Sequence, residues 1–306
     1  MDIEQVEAFL AVAQFGGFTA AAAKLHRSQP AVSRRLSLLE EEIGAPLFDR
    51  TAAGVALTDV GRAFHPHATA AMASLHDAKE AARSESRAAT SPVIIAIVGT
   101  LLNRAMARTL ARFRATLPCP QLRILTGSSD DVSNWVRQGA ARLGVRYSAP
   151  REANLTTRRI GTEAFVVVAS PQLGLPPSAG VEELSAQPWV TFPVNKHSTE
   201  AFGRVFLRQA AAVGLSDLDV VTVDSLSAQK RLVEEGFGLG FLPRSAVADE
   251  IRNGALVILE PAGFATTLPI SIIHRREGYL GPGAEALMKV LPEWWTPMAG
   301  DEAIGA

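Results

Sequence analysis

Residues 18–61 limit what this chain can fold into more than any other stretch: FTAAAAKLHRSQPAVSRRLSLLEEEIGAPLFDRTAAGVALTDVG. Before it, residues 3–15 carry apolar groups at Val6, Phe9, Leu10 and Ala13, a helical spacing that Gly16-Gly17 interrupts. Thr19 is placed to cap a short Ala-rich helix ending near Leu25. Ser28 is placed to cap the next helix, with Pro30 tolerated in its first turn. That helix runs to about Ile43 and stops at Gly44, a C-terminal signal. Leu47–Arg50 and Val55–Leu57 then read as two short strands around Ala52-Ala53-Gly54. The pattern is two short helices and a wing.

The helix from Gln29 to Ile43 has two distinct faces. Val32, Leu36, Leu39 and Ile43 are spaced four, three and four apart and form one apolar stripe. At roughly 100° per residue, Pro30, Ser33, Arg34 and Ser37 fall on the opposite face. That face is small and polar, so it can enter a major groove closely. Arg34 can pair with guanine, and Gln29, near the helix start, can pair with adenine. The helix N-terminus and Ser28 can face a phosphate. Arg50, at the wing tip, suits a phosphate or minor-groove contact; it also suits a solvated hairpin.

Charge has to make this case locally, because the whole chain carries a formal net charge of only −1. Lys24, Arg27, Arg34 and Arg35 lie close together with no acid between them, and Glu40-Glu41-Glu42 follows. A cationic entry and an acidic exit would dock the first half of the helix on DNA and repel the second. An ordinary amphipathic helix with a solvated charge run gives the same composition.

FTAAAAKLHRSQPAVSRRLSLLEEEIGAPLFDR followed by ALTDVG resembles the winged helix-turn-helix of the LysR-type transcriptional regulators, ungapped over some sixty residues, with SQPAVSR, LEEEIG and PLFDR its distinctive parts. The resemblance implies that Gln29, Pro30, Ser33 and Arg34 meet promoter DNA and that Arg50 holds the backbone. It also implies a dimerisation helix after the wing, pairing of dimers into a homotetramer, and contact with RNA polymerase where the regulator is an activator. Residues 59–88 suit that helix. Val60, Phe64, Ala68, Met72, Leu75 and Ala82 form a near-heptad seam, whose simplest partner is a second copy. The other reading is a helix packed on its own wing domain. Pro66 should kink the helix or sit in its first turns.

The length of 306 residues accommodates two or three domains. A single cysteine, Cys119, leaves no internal disulfide framework and suits a reducing compartment. MDIEQVEAFL lacks the basic and apolar regions of a signal peptide, and no run approaches the ~18 apolar residues of a membrane span. The expected location is therefore cytoplasmic, with no membrane partner. No metal, nucleotide or catalytic motif is evident, so neither a cofactor nor an enzymatic activity is expected.

Residues 84–92, SESRAATSP, read as a linker. Strand candidates then alternate with helix candidates: 93–98, 121–126, 143–147, 164–169, 189–192, 219–223, 239–242, 256–259 and 268–274 are the strands. Such alternation implies parallel sheets covered by helices. RLVEEGFGLGFLPRSAVADEIRNGALVIL resembles a late segment of the same family's effector domain, which is built like periplasmic binding proteins. The expected fold class is therefore α/β with an N-terminal all-α winged helix-turn-helix and a two-lobed effector domain. The expected division is 1–58 for DNA binding, 59–91 for linker and hinge, 92–296 for the effector, and 297–306 for a tail. Lobe one would be 92–162 plus 268–296, and lobe two 163–267.

Hydroxyls recur where a strand candidate gives way to a helix: Thr100, Ser128 or Ser129, Ser198 or Thr199, and Ser225 or Ser227. In α/β lobes those strand ends face one crevice, and helix N-termini there favour an anion. The expected effector is therefore a small anion, with a carboxylate the natural choice. These residues are equally plain N-caps, because every helix needs one. Arg146 ends a strand candidate and could clamp a carboxylate with two hydrogen bonds. It could also be an exposed strand-end residue or a lobe-to-lobe ion pair. In GAARLGVRYS the family has an Asp where Arg142 stands, which puts its usual local capping in doubt. Lys196 and His197 are a second cationic option. The leading expectation is an effector-responsive regulator of transcription. The alternative is a cytoplasmic small-molecule binding protein with no DNA role.

Overall fold

The computed structural model describes residues 1–51, 54–86, 92–116, 121–150, 154–194, 202–264 and 266–295. They form two compact units, the first spanning Met1–Ser86 and the second containing nearly all the rest.

In the first unit, α1 (Ile3–Phe15), α2 (Phe18–Lys24) and α3 (Gln29–Ile43) precede a hairpin of β1 (Phe48–Thr51) and β2 (Gly54–Leu57), and α4 (Asp59–Ser86) follows. Asp2 caps α1 in a box with Gln5, each side chain accepting from the other's backbone N–H. Gly17, not Thr19, occupies the cap position of α2. Gly44 ends α3 at φ 82°, a left-handed cap that favours glycine. Val32, Leu36 and Leu39 are buried, as their spacing requires. Leu36 and Leu39 pack in one cluster with Phe9, whose ring lies 5.3 Å from Phe48 and 5.1 Å from Phe64, while Val32 packs with Ala8, Val12 and Ala21.

The seam expected on α4 is divided. Phe64, Ala68 and Met72 pack into the unit's own core, so the reading of a helix packed on its own domain holds for its first half. Val60 and Leu75 remain 40 % and 45 % exposed. Ala71, Ala78 and Ala82 are exposed as well. With Leu75 they form an outward apolar stripe at helical spacing. Pro66 lies inside the helix.

The second unit contains β3 (Val93–Val98), α5 (Arg104–Thr116), β4 (Leu122–Gly127), α6 (Ser129–Arg137), β5 (Leu143–Tyr147) and a long β6 (Leu155–Ala169). It continues through α7 (Val181–Ser185), β7 (Trp189–Thr191), α8 (Phe202–Ala212), β8 (Val220–Thr222), α9 (Leu226–Glu234) and β9 (Leu239–Pro243). α10 (Ala248–Arg252), β10 (Val257–Leu259), β11 (Thr266–Arg275) and α11 (Gly281–Trp294) complete it. One sheet runs β4-β3-β5-β11-β6-β9-β7-β8, with β10 on β6.

The parallel pairing expected from the alternation holds at both ends, β4-β3-β5 and β9-β7-β8. It fails in the middle, where β11 is antiparallel to β5 and β6, and β6 is antiparallel to β9 and β10. The reason is connectivity: the chain leaves one lobe along β6 and returns along β11, so the two strands run in opposite directions. Among the described residues, no single helix is long and apolar enough to cross a membrane.

Candidate nucleic-acid interface and ligand cleft

The outward face of α3 is assembled as its sequence spacing requires. Ser28, Gln29, Pro30 and Arg34 are exposed, and Ser33 is half-buried. Ser28 sits at the cap position with extended backbone, and its carbonyl accepts from Ala31 and Val32. Its hydroxyl makes no capping bond, contrary to expectation; Pro30 has no N–H and the Ala31 N–H is taken by the Ser28 carbonyl, so within the first turn the Gln29 N–H is the one left without an intrahelical acceptor. The Arg50 backbone pairs with Val55 in the wing; its side chain lies outside the described residues.

The local charge differs from the simple cationic entry. Glu4 on α1 forms ion pairs with Arg35 and, at 3.4 Å, with Arg27. Lys24 lies 5.9 Å over the Phe15 ring. Among the described residues Arg34 makes no hydrogen bond, ion pair or ring contact, so of the four it is the one left facing outward without an engagement. The acidic exit is also partly structural. Glu40 accepts from the N–H groups of Leu47 and Phe48 at 2.7 and 3.3 Å, fixing where the wing begins, and Glu42 pairs with the chain's N-terminal amine. Neither role has a local signal, because both partners lie elsewhere in the chain or outside the helix.

In the second unit, Thr100 follows β3 in a short 3-10 turn, and Ser128 and Ser129 follow β4. All three line one cavity of about 410 Å³, which Phe192 and Phe202 line as well. Thr100 is buried, its hydroxyl 3.1 Å from that of Tyr147, whose ring packs 5.1 Å from Phe202. Burial, together with the nearby Glu163 charge, pushes the Tyr147 hydroxyl well above its ordinary pKa, against a smaller opposing effect of the Thr100 hydrogen bond. Glu163 accepts from the N–H and hydroxyl of Ser245, at 3.1 and 2.5 Å.

The remaining candidates separate. The Ser128 hydroxyl donates to Asp131 at 2.7 Å and accepts from its N–H, so it is at least partly the plain cap. Ser225 caps α9 by accepting from Ala228 and lines neither cavity described here. Ser198 and Thr199 lie outside the described residues, as do Lys196, His197 and Cys119.

Arg146 requires correction. It is 3 % exposed, donates to the Tyr147 carbonyl at 2.9 Å and to the Ser133 hydroxyl, and lines neither cavity. The alternation of a strand cannot reveal this, because every residue of β5 is buried and both faces look alike. Sequence reading also missed three carboxylates in the cavity lining, Asp130, Asp131 and Asp224. No Lys or Arg accompanies them among its described residues.

A winged helix-turn-helix and an α/β body with a cavity at its strand ends define a DNA-binding regulator carrying a ligand-binding domain. Residues 3–62 match the model for the bacterial regulatory helix-turn-helix protein, lysR family, and residues 87–296 match the LysR substrate binding domain. The chain belongs to the LysR family of transcriptional regulators, a family of regulators rather than enzymes. Its relatives include the HTH-type transcriptional regulator CfxR of Cupriavidus necator, 26 % identical over 99 % of this chain and 94 % of the relative. The RuBisCO operon transcriptional regulator of Allochromatium vinosum is 26 % identical, with 94 % of each chain covered. Among solved structures, the LysR family regulator CbnR superimposes with a TM-score of 0.63 at 22 % identity, covering 97 % of this chain and all of that one. Full-length CbnR complexed with target DNA matches with a TM-score of 0.61 at 22 % identity, over 96 % of this chain and 100 % of CbnR.

Proposed function

We propose that this LysR-type regulator reads its promoter through Ser28, Gln29, Pro30, Ser33 and Arg34, with Arg50 on the adjoining backbone. The observation that carries the reading is the outward face of α3, where Arg34 is exposed and without a described partner while Arg27 and Arg35 are engaged by Glu4. A bidentate arginine–guanine contact is worth about 1–3 kcal/mol of discrimination. Arg34→Ala should therefore cost a mobility shift on the intergenic DNA beside the gene roughly tenfold or more in affinity, with unchanged folding by circular dichroism. Equal binding by the variant and the parent would overturn the assignment.

The functional division we infer is 1–58 for reading DNA, 59–91 for joining copies, and 92–296 for sensing. Copies would pair through the outward stripe of Ala71, Leu75, Ala78 and Ala82, and dimers would pair again into a tetramer that meets RNA polymerase at activated promoters. Such a protein works in the cytoplasm. The effector would occupy the 410 Å³ cavity beside Thr100 and Ser129. Its differential affinity for two lobe arrangements would shift the DNA-bound form. A carboxylate there would rely on the first-turn N–H groups of α6 against Asp130, Asp131 and Asp224. An effector offering hydroxyl or cationic groups to those acids fits the described lining better.

A further inference from the structure

The second unit has another, wider cavity of about 820 Å³, on α5, α9 and α10. It shares only Gly99 and Thr100 with the smaller one. Its charge is opposite. Arg104, Arg108 and Arg112 lie one turn apart on α5 and all line it, with Lys230 of α9 and Arg252 of α10 completing the set. Two carboxylates, Asp249 and Glu293, line it as well. A surplus of cations in one groove is notable in a chain of net charge −1.

The pairing within the groove is uneven. Asp249 holds two cations at once, Arg252 at 2.6 Å and Arg104 at 2.9 Å. Its carboxyl is lowered from its ordinary value, chiefly through the Arg252 hydrogen bond, against an opposing desolvation effect, with the Arg104 and Arg252 charges adding to the lowering. Lys230 is paired with Glu250 at 2.5 Å and donates to the Ala246 carbonyl at 2.9 Å. Arg108 and Arg112 have no hydrogen bond or ion pair among the described residues, although they sit on a concave wall rather than a convex surface. Like charges one turn apart repel, so this wall is disfavoured until something negative lies against it.

We propose that this groove is a second ligand site, which binds a small oxyanion of two or more negative charges between Arg108 and Arg112 on one side and Lys230 and Arg252 on the other. The volume suits a metabolite-sized ligand. Guanidinium groups pair with phosphoryl or carboxylate oxygens through parallel hydrogen bonds, so both anion types share the required chemistry. Because α5 packs beside the β4-β3-β5 end of the sheet and α9 and α10 belong to the other end, a bound anion would hold the two ends together.

Calorimetric titration of the full chain, without DNA, tests this with pyrophosphate and citrate as probes and acetate as the monovalent control. Pyrophosphate, citrate or both should bind, acetate should not, and affinity should fall as salt rises. Whichever probe binds more tightly identifies the phosphoryl or carboxylate class. The double substitution R108Q/R112Q should weaken binding by roughly tenfold or more. D249N should tighten it several-fold by releasing Arg104 and Arg252. Failure of both probes to bind, or equal binding by parent and R108Q/R112Q, would overturn the proposal. So would a change in oligomeric state by sedimentation with anion affinity unchanged, since the groove would then be a protein interface. The readout is independent of the DNA and effector assignments, which can fail without it.

Discussion

Gly61 provides a test of sign as well as size. It lies in the first turn of α4, where replacing a glycine by alanine ordinarily stabilises by about 1 kcal/mol. Here a Cβ would stand 2.1 Å from the Leu47 carbonyl oxygen and 3.0 Å from Leu57 Cδ2. An ordinary C···O approach is about 3.3 Å, so backbone must move by roughly 1 Å. That carbonyl accepts from the Thr58 N–H at 3.0 Å, and the Leu47 side chain is fully buried beside Phe9. Overpacking of this kind costs about 1–3 kcal/mol, and the strained hydrogen bond up to about 1 more. The helix-propensity gain offsets about 1, leaving Gly61→Ala destabilising by up to about 3 kcal/mol. All four tryptophans lie at or beyond Trp135, so tryptophan fluorescence reports the second unit, whereas circular dichroism sees the helices of both. A thermal melt should show the dichroism transition of the first unit lowered, by about 4–8 °C for each kcal/mol lost, with the fluorescence transition unmoved. A variant that melts higher, as a freely accommodated alanine would, refutes the reasoning.

Two further outcomes concern the second unit. Arg146→Ala should destabilise it by roughly 2–3 kcal/mol in urea, because it strips a charged donor from Ser133 and the Tyr147 carbonyl; an unchanged midpoint would return Arg146 to the list of ligand contacts. Tyr147 titrates higher in the folded state, so its neutral form is the favoured one. Its contribution is fully present below the unfolded value of about 10 and is lost as pH rises through the higher folded value. Stability measured across that alkaline range should fall less steeply in Tyr147→Phe than in the parent, and parallel curves would contradict the assigned burial.

What the sequence made legible was whatever repeats locally. The period of Val32, Leu36 and Leu39 located the buried stripe of α3, and with it the exposed face carrying Gln29, Ser33 and Arg34. The first half of β6 escaped notice because LTTRRIGTE is polar and lacks a buried run. It is a strand because β11 pairs with it throughout, a partner more than a hundred residues away. The same holds for Glu4, whose hold on Arg35 crosses 31 positions and changes which cation is free. In the α/β unit, strand ends pointed to Thr100, Ser128 and Ser129, which line one cavity. They did not reveal that the acids gather there and the arginines elsewhere, since that sorting is set by how α5, α9 and α10 pack rather than by any spacing.

The antiparallel pairing of β6 with β11 bears on how this body can move. The pairing extends from Thr266 opposite Phe165 to Arg275 opposite Leu155, and β5 joins β11 while β9 joins β6. Two ends connected by a pair of free crossings could swing apart like a clasp. Ends sharing a hydrogen-bonded ribbon are restricted mainly to torsion, because opening would break the ladder whereas twisting only redistributes it. The register shift between Ile270 and Ser271 is the place where the ribbon already departs from regular pairing. Relative motion of the two ends would then be taken up as twist along one strand pair, turning the outer helices relative to each other.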